Sequence, residues 1–173
     1  MKKILFMVSL LFSVGAISQS DSIFLHNGKT IIGNVVRNAE FTVLFKYVGE
    51  DAEQVLSKYA VSKIIYGKSH RVENITDKIV IASKDDWEKV VILVDKTEIA
   101  GLTKVDDVKG KTALINARTP SGGNVKALRD IKQKAAEKGC PFILILTDKD
   151  THFTRHSSSS MSNSVKTGAA YKY

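Results

Sequence analysis

The sequence predicts an α+β protein: a small antiparallel β-barrel followed by an α/β module with one main helix on a β-sheet. Three observations carry this prediction. Five short β-rich runs with tight turns fall between residues 22 and 66. A single amphipathic stretch near residues 124–139 is bounded by residues that start and stop helices. The continuous apolar run Phe142-Ile143-Leu144-Ile145-Leu146 follows it, as a strand covered by a helix requires.

The chain opens on Lys2 and Lys3, an apolar run over residues 4–14 interrupted by Ser9 and Ser13, and then Gly15-Ala16-Ile17-Ser18. A short basic start, an apolar stretch too brief to span a bilayer, and small residues before a cut describe a secretory signal peptide over residues 1–18. Cleavage is expected between Ser18 and Gln19, giving an exported chain, periplasmic or extracellular. With Cys140 as the sole cysteine, there is neither an internal disulfide nor a lipobox cysteine at the cut, so the chain is not expected to be a lipoprotein. No second long apolar segment follows, so the mature chain is expected to carry no transmembrane span.

The first module is expected over residues 19–83. Residues 22–26 form a strand, Asn27-Gly28 a type I′ hairpin turn, and residues 30–36 and 41–48 the next two strands. Gly49-Glu50-Asp51 turns the chain into runs at 54–57 and 61–66. Within the bridge 67–83, residues 79–82 are expected to add another strand. The second module is expected over residues 84–173. Strands are read at 89–94 and 98–102 around the Asp95-Lys96-Thr97 turn, and at 111–117. Asn124 is read as the helix N-cap, with Val125, Leu128, Ile131 and Ala135 on one face and a Lys126–Asp130 pair on the other. Gly139 is placed as a left-handed C-terminal residue, and Pro141 prevents continuation. Gly168-Ala169-Ala170-Tyr171 belongs to a last strand, reached across a Ser-rich loop at 154–164.

Phe24-Leu25-His26-Asn27-Gly28, Ile32-Gly33, Val43-Leu44-Phe45-Lys46 and residues 58–65 together resemble the two-part signature of Sm-like barrels, and most closely the bacterial RNA-chaperone branch. The resemblance implies a bent second strand at Gly33, a homo-oligomer ring built through the barrel edge, and RNA contact at Lys58 and Tyr59. Tyr59 stands where that family has histidine. The pattern also looks like barrels in small exported proteins of Gram-negative bacteria. Residues 128–136, 138–145 and 168–171 resemble a small α/β family that includes the Rcs envelope-stress lipoprotein and proteins described as heavy-metal-binding. The paired disulfides of the stress sensor are missing.

The net charge of +8 does not by itself indicate nucleic acid. Residues 19–83 carry eight Lys/Arg against seven Asp/Glu, residues 84–173 sixteen against eleven, and the signs alternate along the chain. That is a solvated mixed-charge surface, suited to weak contact with an anionic lipid surface. His152 and His156, with Asp148 and Asp150 upstream, would form a metal site if helical, while the Ser-rich surroundings favour a loop. His26 and His70 are expected to be solvated. Gly28-Lys29-Thr30 and Gly110-Lys111-Thr112 lack the earlier glycine of a phosphate loop, since Ile23 and Val105 stand in its place. Ser121-Gly122-Gly123 is an anion candidate ahead of the helix. Cys140 is expected to be packed and inert, Trp87 to anchor a core, and the Asp85-Asp86 and Asp106-Asp107 pairs to lie in turns. No catalytic constellation or cofactor follows from these residues. The expectation is an exported envelope protein that works through protein–protein contacts at an exposed barrel edge. A metal- or anion-binding periplasmic protein is the alternative, and an RNA-binding protein the reading if the leader is retained.

Overall fold

The computed structural model describes residues 19–111, 120–154 and 160–173. The leader and Ser18, most of the strand expected at 111–117, and His156 lie outside these residues. The described chain forms two sheets. The first has the order β4-β3-β2-β1-β5-β6, antiparallel throughout: β1 (Asp21–Leu25), β2 (Thr30–Asn38), β3 (Thr42–Tyr47), β4 (Glu53–Ser57), β5 (Val61–Ile65) and β6 (Val72–Asn74). Alternation along these strands turns Ile23, Leu25, Val43, Phe45, Leu56, Val61 and Ile64 into one core. Register shifts between Phe24 and Leu25, and between Val35 and Arg37, bend the sheet around that core.

The expected closed barrel is not formed. Closure would require β4 to pair with β5, but β6 occupies the outer side of β5 (Lys63 opposite Asn74, Ile65 opposite Val72). A 3-10 turn, Lys58–Ala60, separates β4 from β5 and directs the Ser57 N–H to the Ala100 carbonyl at 2.8 Å. The β1–β2 turn also differs from the type I′ expectation. It is a three-residue loop in which Gly28 alone has positive φ (86°) and the Asn27 side chain accepts from Lys29 N–H.

Residues 75–82 of the bridge belong to no strand or helix, and Ile75 N–H donates to the Ser62 carbonyl at 2.8 Å. The strand expected at 79–82 is absent, because Ile79 and Ile81 pack as side chains on the second sheet's two cores. The second sheet has the order β7-β9-β10-β8, comprising β7 (Val91–Leu93), β8 (Thr103–Lys111), β9 (Phe142–Thr154) and β10 (Ser160–Lys172). β7 runs parallel to β9, and β10 runs antiparallel to both β9 and β8. The chain leaves β8, passes through helix α1 (Pro120–Glu137) and returns as β9, with β10 inserted between.

Several expectations shift here. Residues 98–102 do not form a strand: Lys96–Ile99 is a 3-10 turn, capped by Asp95 and Glu98 in reciprocal hydrogen bonds. The strand expected at 111–117 is preceded by β8, in which Val108 and Gly110 alone are buried and the exposed positions are mostly charged. The helix begins at Pro120, so Asn124 is interior and Val125 is exposed, while Ala127, Ile131 and Ala135 face the sheet. Asp130 pairs with Lys134 at 2.9 Å. The helix end is as the sequence predicts. Gly139 has φ 64°, its N–H donates to Ala136, and Cys140 N–H donates to Ala135, a Schellman pairing. The Ser-rich stretch is narrower than a 154–164 loop, since Ser160–Ser164 are already ladder residues of β10.

One face of this sheet packs on α1 through Val90, Val108, Ile131, Ala135, Cys140, Ile143 and Ala170, with Trp87 alongside. The other face carries Leu93, Phe142, Leu144, Ala169 and Tyr171, and receives Tyr59 from the first sheet and Ile79 from the bridge. Helix contact on β8 is close: a Cβ at Gly110 would strike the Ala127 carbonyl and come within 2.9 Å of Ile131 Cβ. Gly110→Ala is therefore expected to lower unfolding free energy by about 1–3 kcal/mol, read from urea denaturation, with the far-UV spectrum of the folded state unchanged.

Candidate functional site

Asp148 forms an ion pair with Lys166, whose side chain is 5% exposed on β10, one of the two inner strands of the second sheet. Asp150 and His152 lie further along β9, opposite Ser164 and Ser162 of β10, and His156 lies outside the described residues. Among the described residues no three His, Cys, Asp or Glu side chains come together as a metal site. Ser121, Gly122 and Gly123 are in the first turns of α1 and not in a loop before it.

The paired acids have structural work. Asp86 accepts from the Ala82 and Ser83 N–H groups and pairs with Lys89 at 2.6 Å, which holds its carboxyl at about 2. Asp106 and Asp107 are on β8, not in a turn, and pair with Lys138 and Lys104. Cys140 is fully buried, and burial pushes its thiol up. Native protein is expected to resist a thiol-specific reagent that modifies Cys140 on unfolding in urea, as followed by mass.

Two groups that sequence reasoning missed are buried and satisfied. Glu98, 3% exposed, accepts from Val94 and Asp95 N–H groups, each at 2.9 Å. The Asp95-x-x-Glu98 spacing is a capping-box signal that could have identified it. Lys166 had no local signal, since its partner is eighteen residues earlier in sequence.

The sheets meet in an aromatic seam. Tyr59 tilts onto Phe142 with ring centroids 5.2 Å apart, and Phe142 meets Tyr173 edge-on at 5.3 Å. The Tyr173 hydroxyl accepts from Ile79 N–H at 2.8 Å. His26 is part of this seam and is not solvated as expected. Its ring stands edge-on to Tyr173 at 4.8 Å, with Nε2 3.1 Å from Thr76 Oγ1. The Thr76 hydroxyl has one hydrogen, used on the Val61 and Lys58 carbonyls, so His26 Nε2–H is the donor to it. His70, in contrast, is exposed, in a left-handed turn position at φ 54°. Tyr59, where the Sm-like resemblance implies an RNA contact, is half-buried with its ring tilted onto Phe142.

Burial, and after it the Lys78 ammonium, hold the His26 imidazole below its ordinary value, against the opposing effects of Thr76 and Asp77. The neutral ring is the folded form. Its contribution to stability is complete above the ordinary imidazole value of about 6.5, and is lost as pH falls below that value toward the folded-state pKa. The urea midpoint is expected to drop between about pH 7.5 and about pH 5.5. His26→Gln, which keeps a donor to Thr76, should flatten that drop.

Among the outer strands, β4 and β6 of the first sheet and β7 and β8 of the second, the Lys109 C=O and Lys111 N–H of β8 are taken up by Lys134 and Asp130 of α1, while part of the β4 edge is open. Backbone groups of a strand point to alternate sides. Ser57 N–H points away from β3, to Ala100, so the N–H and C=O groups of Val55 and Glu53 point the same way. Those of Val55 and Glu53 have no hydrogen-bond partner among the described residues. The open stretch is flanked by exposed Glu50 and Asp51, and Val55 itself is 41% exposed. No family model matches the chain, and no curated protein or solved structure is significantly similar to it. Among the described residues no helix is long and apolar enough to cross a membrane.

Proposed function

We propose that this protein is a non-enzymatic binding module of the cell envelope that takes an extended segment of a partner polypeptide on the open edge of β4. The observation that carries the reading is the pair of outward backbone donors and acceptors at Glu53 and Val55. An edge strand with unpaired main-chain groups is a template for an added strand. The Ser57–Ala100 bond limits the template, so an incoming strand is held at Glu53–Val55 and not along the whole edge. Envelope residence rests on the leader: Lys2 and Lys3, the apolar run at 4–14, and the small residues before Gln19. The non-enzymatic reading rests on the local roles of the titratable groups described above, most of which cap turns or close surface ion pairs.

The test is a photocrosslinking amino acid at Gln54, compared with one at Val125, which is 67% exposed on α1. In envelope extract, Gln54 is expected to give a discrete polypeptide adduct and Val125 none. Val55→Pro should abolish the Gln54 adduct, since proline removes the outward donor while leaving the β3 ladder intact. No adduct at Gln54, or an adduct that survives Val55→Pro, rules out the edge.

A further inference from the structure

The edge of β4 carries a chemical preference. On the solvent face of the first sheet, Leu44 lies opposite Val55, and Lys46 lies opposite Glu53. These four share one face, because Val43 and Phe45, the neighbours of Leu44 on β3, point into the core. Two cross-strand rows therefore end at the open edge, one apolar (Leu44–Val55) and one charged and alternating in sign (Lys46–Glu53). No ion pair within 4.0 Å joins Lys46 to Glu53, and Glu53 is exposed, so its charge is available at the edge. Glu50 and Asp51, in the turn leading into β4, add negative charge beside it.

We infer that the partner segment is basic, with an apolar residue opposite Val55 and a Lys or Arg two residues later, opposite Glu53. This inference rests on the edge reading proposed above. An antiparallel strand continues each row: its apolar side chain extends Leu44–Val55, and its cation completes the alternation Lys46–Glu53–cation. Opposite charges directly across a ladder stabilise it and like charges destabilise it.

The test uses two short synthetic peptides of otherwise alternating threonine, one with Val and Lys two residues apart and the other with Val and Glu. They are titrated into the full mature chain, with backbone amide shifts and hydrogen exchange followed at Glu53 and Val55. The Lys peptide is expected to protect both amides and to bind about tenfold more tightly than the Glu peptide. Glu53→Lys should invert that preference while leaving the fold, judged by the remaining amide spectrum, unchanged. Protection of both amides with equal affinity for the two peptides, or a preference that Glu53→Lys does not alter, overturns the charge rule and leaves the edge as a binding site. No protection by either peptide overturns the inference together with the edge reading.

Discussion

The meeting of Phe142 with Tyr59 and Tyr173 sets the relation between the two sheets, and much else follows from it. Phe142 is the first residue of β9, and its ring lies against Tyr59, from the 3-10 turn between β4 and β5, and Tyr173, the residue after β10. The Tyr173 hydroxyl then anchors the bridge at Ile79, and the Ser57–Ala100 bond fastens the far end of β4. Of the three residues of β4 that point away from β3, the Ala100 carbonyl takes up Ser57 and leaves Glu53 and Val55 open. The geometry of the candidate binding edge is a product of how the second sheet docks.

The seam also explains why a neutral His26 sits half-buried beside a lysine. The imidazole fills the space between the β1–β2 turn and Tyr173, and Lys78 reaches back to the His26 carbonyl at 3.2 Å. A protonated ring there would face the Lys78 ammonium, with Asp77 as the opposing charge. The contact favours a neutral ring without needing a specific acid partner. This is a packing role for a histidine, and it requires no chemistry beyond one hydrogen bond to Thr76.

Local signals in the sequence located the elements whose structure is locally determined. The Gly139 helix end was legible because a left-handed residue followed by Cys140 and Pro141 leaves few alternatives. The β-rich runs at 22–26, 41–48 and 61–66 were legible because their alternation reflects a single core. Elements fixed by distant partners were not legible. Val72–Asn74 becomes a strand because β5 offers an edge, while 79–82, with stronger β propensity, is drawn into side-chain packing on the second sheet. β8 was hidden by its charges, since an edge strand with one buried face near its end shows little periodicity. The open edge itself was legible only in part. Strand count suggested a barrel with an exposed edge, but whether β4 would meet β5 depended on β6, which no turn signal announced.

The position of β10 has a consequence for how this chain reaches its folded state. β8 and β9 are held apart by the width of one strand, and that strand is encoded after both of them and after the intervening helix. Until it arrives, the apolar face of α1 and the row Phe142-Ile143-Leu144 have no complete sheet to cover, so this half of the chain stays unfinished through most of its synthesis.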